Sequence, residues 1–172
     1  MMVKRLLRLG ALTPVLLLAV LPVAASADSG LAVSVGAPAT RASLGLLVPV
    51  SVTCPAPSSD PTISQSLFGT LKVIQANGNS NVAVGVATLA SGGKGAFGSP
   101  QPGVDLICDG SSHAYQALVV PDVQTDPFTA AFTGGQATAT LSLTLFTFTC
   151  PPCLSPDTTT VTTGPVGIHI KG

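Results

Sequence analysis

The stretch Gln136-Ala137-Thr138-Ala139-Thr140-Leu141-Ser142-Leu143-Thr144-Leu145-Phe146-Thr147-Phe148-Thr149-Cys150 decides the fold. Ala137, Ala139, Leu141, Leu143 and Leu145 alternate with Thr138, Thr140, Ser142 and Thr144. Successive side chains of an extended chain point to opposite faces, so the pattern predicts a strand with one apolar and one hydroxyl-bearing face. Beyond Leu145 the apolar residues become Phe146, Phe148 and Cys150, one position out of phase. A β-bulge produces such a slip and lets a strand bend from one sheet into another.

The same period of two extends outward from this stretch. In Leu46 to Cys54, Val48, Val50, Val52 and Cys54 share a face against Pro49, Ser51 and Thr53. Pro49 cannot donate to a ladder, which predicts an edge position or a strand that begins after it. Phe68 to Ala76 and Asn81 to Leu89 flank Asn77-Gly78-Asn79-Ser80 and read as a hairpin, with Val82, Val84 and Val86 inward. Val104 to Cys108 and Ser112 to Val120 read as a second hairpin around Asp109-Gly110. The breakers Ser91 to Gly95 and Ser99 to Gly103 predict a long loop. In the last strand Val166, Ile168 and Ile170 point inward, with His169 and Lys171 outward. Seven to nine short strands without a helical period predict an all-β fold, a two-sheet antiparallel sandwich.

Residues 1–27 read differently. Lys4, Arg5 and Arg8 precede an aliphatic run from Ala11 to Val23 that is too short to span about 30 Å of hydrocarbon as a stable helix. Ala25-Ser26-Ala27 before Asp28 has the small-residue pattern of a signal-peptidase site, and no Cys follows to receive a lipid. The segment is expected to be a cleaved secretory signal helix. Residues 28–45 then form an N-terminal segment with the first strand, and 46–172 the sandwich domain. The expected location is secreted or extracellular, with cell-wall association an option and no membrane contact after cleavage.

Removing 27 of the 172 residues leaves 145, enough for one domain with a core. Arg41, Lys72, Lys94 and Lys171 then face seven Asp and no Glu, a net charge of −3, which removes the electrostatic footing for nucleic-acid binding. Thr, Ser, Gly, Ala and Val dominate and favour strands and turns over helices. The absence of Trp and the single Tyr115 weigh against an aromatic platform for sugars.

Four Cys in an exported chain imply a disulfide framework with three connectivities. The favoured one joins Cys54 to Cys108, at the inward-facing ends of two strands, and Cys150 to Cys153 across a hairpin tip. Cys150-Pro151-Pro152-Cys153 also matches the spacing of thiol oxidoreductases. That chemistry needs a helix beginning at the first Cys to lower the thiol pKa, and Leu154-Ser155-Pro156-Asp157 does not start one. Asp109-Gly110-Ser111-Ser112-His113 gathers an acid, two hydroxyls and an imidazole, but no Gly-x-Ser-x-Gly elbow accompanies it, and a turn followed by a strand-borne His accounts for the pattern. His169 reads as a solvated strand residue, and a zinc site lacks ligands. Asp122 and Asp126, with Asp105 and Asp109, admit a loop-borne calcium site without matching a full ligand loop. No catalytic residue, metal or cofactor is assigned, and Asp109, His113, Asp122, Asp126, Pro151 and Pro152 form the candidate binding surface.

Val50-Ser51-Val52-Thr53-Cys54-Pro55, Leu106 to His113, Phe132-Thr133-Gly134-Gly135-Gln136-Ala137 and the late Cys pair before a terminal Ile-x-Ile-Lys give the chain a family likeness. Over most of its exported length it resembles exported Ig-like proteins of high-GC Gram-positive bacteria. The resemblance implies an Ig-like sandwich and no particular activity. The chain is also similar to the secreted subtilisin-inhibitor family in its Val-x-x-Thr-Cys strand end and late Cys-Pro, although Cys153 sits where the inhibitor's binding loop should run. To the neocarzinostatin-like apoproteins it is similar in signal peptide, low charge and two disulfides, with different Cys spacings. The expected function is a non-catalytic binding or cell-surface-associated module for an extracellular protein or cell-envelope component. A protease inhibitor presenting the Cys150–Cys153 loop is the alternative, and an extracellular thiol oxidoreductase or hydrolase the third.

Overall fold

A computed structural model of the chain describes residues 24–26 (backbone only), 30–78, 81–91, 103–151 and 155–172. The described residues form eleven strands and no helix: β1 Ala24–Ser26, β2 Ala32–Val35, β3 Ala39–Ala42, β4 Gly45–Thr53, β5 Ile63–Asn77, β6 Asn81–Ser91, β7 Gly103–Leu106, β8 Ser112–Pro121, β9 Gly135–Thr149, β10 Asp157–Thr162 and β11 Val166–Lys171. The all-β class read from the sequence is therefore present. None of the described elements is a helix able to cross a membrane. The expected signal helix and the expected long loop after Ser91 lie largely outside the described residues, although Ala24–Ser26, within the former, is a strand paired with β2.

Seven strands pair in a closed ring, β4-β8-β6-β5-β9-β11-β3 and back to β4. β2 lies beside β4, β10 beside β9 and β7 beside β6, all outside this ring. The ladders differ greatly in length. β5 pairs with β9 from Ile63↔Thr149 to Ile74↔Thr138 without interruption, whereas β6 meets β8 only at Gly85↔Pro121 and Val86↔Val120. β11 meets β3, in parallel, only at Ile170↔Ala39 and Lys171↔Thr40. Inside lies one core that includes Leu46, Val48, Leu71, Leu89, Leu141, Leu143, Ile168 and Ile170, all at most 1% exposed.

The eleven strands exceed the seven to nine expected because two long strands change partners along one side. β4 pairs with β3 over Gly45–Leu47 and with β2 over Val50–Thr53. Pro49 falls at this changeover, so β4 is not an edge strand: it is paired along both sides, and the missing N–H lies where one neighbour has ended. Its carbonyl accepts the Gly36 N–H at 2.8 Å. β9 likewise pairs with β11 over Gly135–Ala139 and with β10 over Ser142–Thr147. Leu141, between the two, is served by buried Thr163: its N–H donates to the Thr163 hydroxyl at 3.0 Å and its carbonyl accepts the Thr163 N–H at 2.9 Å.

Three strand readings are corrected. First, β9 contains no phase slip against β5: Leu145 stays in the core, and Phe146 and Phe148 keep the outer parity, half-buried. A change of partner, not a bulge, carries this strand across the fold. Second, β6 is inverted. Ala83, Gly85, Ala87 and Leu89 point inward, and Val82, Val84 and Val86 outward. Leu89 anchors that phase, and the Phe132 ring and Val119 occupy the space a Cβ on Gly85 would need, at 2.8 Å each. A valine facing inward there would displace both. Third, β7 and β8 are not a hairpin. β7 runs parallel to β6, while β8 pairs with β4 and β6.

Candidate functional site

β4, β7 and β9 end at one pole of the ring, where β5, β8 and β10 begin; the opposite pole carries the turn after β5 and the loop from β8 to β9. The first pole is tied by the Cys54–Cys108 disulfide, with Cα atoms 4.9 Å apart, as expected from the inward parity of Cys54. Cys150 is also disulfide-bonded, and the expected pairing with Cys153 lies outside the described residues, as does Pro152. The Cys150 N–H donates to the Thr62 carbonyl at 2.7 Å, which seats exposed Pro151 at the same pole.

The turn after Cys108 builds outward from this tie. Gly110, at φ +84°, takes the left-handed conformation that the chain reversal requires, and its N–H donates to the Cys54 carbonyl at 3.0 Å. The Asp109 carboxylate accepts the Ser111 N–H at 2.8 Å and meets His113 Nε2 at 2.9 Å. These bonds, the His113 one foremost, hold the Asp109 carboxyl below the usual carboxylate range. Both side chains remain accessible, His113 at 29% and Asp109 at 49% exposure. The Tyr115 hydroxyl accepts the Ile107 N–H at 2.9 Å, which ties the turn to β8. The Ser112 hydroxyl bonds to Ser51 at 2.9 Å and is thereby directed to β4 rather than to the imidazole. Asp109, Ser111 and His113 thus share the bonds of a closed turn, while the Ser112 hydroxyl turns to β4.

Beside the disulfide, Pro55, Pro57, Leu67, Leu106, Cys108 and Leu145 line a cleft of about 240 Å³, with Gln65 and Ser91 as its polar groups. Among the described residues no charged side chain lines it. The Ser91 hydroxyl is occupied in accepting the Leu67 N–H at 3.1 Å.

Asp122 and Asp126 are elsewhere. β8 carries ten residues from Ser112 to Pro121, so they lie about 30 Å from Asp109 and His113. Asp122, buried, bonds through its carboxylate to the Thr125 hydroxyl and N–H, and these bonds lower its carboxyl pKa against the opposing effect of burial. Asp126 accepts the Phe128 N–H at 3.2 Å. Both acids shape the loop, and among the described residues no three His, Cys, Asp or Glu side chains gather as metal ligands. The binding surface read as one is therefore divided, with Asp109, His113 and Pro151 at one pole and Asp122 and Asp126 at the other.

Gln75 was absent from the sequence reading. Only 2% exposed, it donates to the Thr133 carbonyl at 3.0 Å and accepts the Thr133 N–H at 2.9 Å, clamping the loop to β5. A signal existed: Gln75 shares the parity of Leu71 and Val73, and a polar residue in a core phase needs a buried partner. Comparison with protein families, with curated proteins and with solved structures finds no match to this chain. The fold and geometry define an all-β, disulfide-tied domain with a largely apolar cleft at its tied pole.

Proposed function

We propose that the chain is a secreted, non-catalytic binding module whose disulfide-tied pole meets an extracellular protein or a cell-envelope component. The observation that carries this reading is the presence at that pole of an accessible Asp109–His113 pair, exposed Pro151 and a largely apolar cleft. A small apolar cleft with a few polar groups is the usual form of a recognition site. An Ig-like sandwich is supported by the parallel run of β3 beside β11 and by the two-pair seams at β3–β11 and β6–β8, which part the ring into a β3-β4-β8 group and a β11-β9-β5-β6 group. Export accords with the basic, aliphatic leader and with disulfides, which persist in oxidising compartments.

The test is capture by the immobilised exported protein from culture supernatant and cell-wall fractions. A specific component is expected, released by alteration of Asp109 and His113; recovery of no component would overturn the reading. A second reading, a protease inhibitor presenting the Cys150–Cys153 loop, rests on the anchoring of Cys150, where that loop begins, to Thr62, since a constrained segment loses less entropy on binding. Inhibition across a serine-protease panel tests it, and uniform inactivity removes it.

A further inference from the structure

β1 pairs antiparallel with β2 in the register Ala24↔Ser34, Ala25↔Val33 and Ser26↔Ala32. On the other side of β2, the Gly36 N–H donates to β4. Backbone groups of alternate residues point to opposite sides of a strand, so Ser34 and Ala32 also face β4, and Val33 presents its N–H and carbonyl to the outer edge. From Gly30 to Gly36 the edge has no charge, no Pro and no bulge, the devices that usually keep an open edge from pairing.

We propose that removal of residues 1–27 uncovers this edge and that a second copy of the chain occupies it through antiparallel β2–β2 pairing. The cleavage step rests on the export reading above. The occupant follows from the register. β1 offers Ala-Ala-Ser to the edge, and β2 itself reads Ala32-Val33-Ser34. A partner β2 seated in place of β1 keeps the Ala·Ser and Ser·Ala pairs and changes only Ala25·Val33 into Val33·Val33. That central pair lies on a two-fold axis and exchanges both outward hydrogen bonds, which is what a closed, self-complementary dimer requires. Among the described residues every buried core residue lies between Leu31 and Ile170, so the chain from Asp28 keeps all of these.

The test compares chains beginning at Ala24 and at Asp28 by light scattering from about 10 μM to about 1 mM, the range suited to a short edge interface. The Asp28 chain is expected to rise from one towards two chain masses, and the Ala24 chain to need about tenfold more protein, because its own β1 competes at high effective concentration. Val33→Pro removes the outward N–H and leaves the β4 ladder intact. Because Val33 is buried, Ser34→Lys, on the solvent side of the edge, provides the second variant; each is expected to hold the Asp28 chain at one mass. A Asp28 chain that stays monomeric throughout, or a dimer that survives in both folded variants, would overturn the pairing. Intact mass of the exported product gives the cleavage step separately: an N-terminus at Asp28 is expected, and retention of Ala24–Ser26 would overturn the uncovering together with the export reading.

Discussion

The two poles of the ring are secured by different chemistry. At one, a single Cys54–Cys108 bond joins the end of β4 to the turn before β8. At the other, the loop from β8 to β9 is held by many weak bonds: Thr129 exchanges bonds with the Val84 N–H and carbonyl at 2.7 and 3.0 Å, Gln75 clamps Thr133, and the Phe132 ring packs on Gly85. A covalent tie fixes two backbones at one point and leaves nearby side chains facing outward. A non-covalent tie occupies the polar groups of the loop that makes it. Asp122 and Asp126 are consumed in this way, whereas Asp109, His113 and the cleft stay accessible although the segment around them is anchored.

The largest way to break this contrast is to remove the covalent tie. A Cys54→Ala, Cys108→Ala pair frees a loop with a sequence separation of 54, and a loss of about 4 kcal/mol is expected from the chain-entropy relation. Urea denaturation measures the loss. Amide exchange should locate the early opening at Ser112 and His113; equal early opening at Thr129 and Thr133 would erase the distinction between the poles. Next in size, Phe132→Ala removes a ring 5% exposed and should cost about 3 kcal/mol, with His113 imidazole resonances unchanged. Thr129→Val leaves the Val84 N–H without its hydroxyl partner, an expected loss of about 1 kcal/mol, seen as faster exchange of that amide.

The smallest effects are in acid. Asp109 and Asp122 have carboxyls lowered from 3.8 in the folded chain, through His113 and Thr125 respectively. Their contributions are therefore fully present above the unfolded value and are lost as pH falls through the lower folded value. Carboxyl NMR titration should give both midpoints below 3.8. His113→Ala is expected to move only the Asp109 midpoint upward, and Thr125→Val only that of Asp122; crossed effects would show that the poles are coupled.

Much of the strand framework was legible because period two survives wherever one face is buried. β4, β9 before Phe146 and β11 follow it residue by residue. The inverted β6 was not legible, since its two faces offered valine against alanine and glycine and the choice belongs to a distant group, the Phe132 ring. The apparent slip at Phe146 was equally ambiguous, because half-buried aromatics on an outer face look the same in sequence as core residues. The Cys54–Cys108 bond was readable from strand-end parity. The division of the acids was not, because it depends on the length and direction of β8 between them.

The most direct test is paired substitution at the two poles of the chain from Asp28, followed by capture from the same supernatant and cell-wall fractions. One variant carries Asp109→Lys with His113→Ala; the other carries Phe128→Ser with Val123→Ser, at residues 92% and 60% exposed on the opposite loop. Loss of capture in the first and retention in the second is the expected result. Retention in the first with loss in the second would contradict the assignment of binding to the disulfide-tied pole.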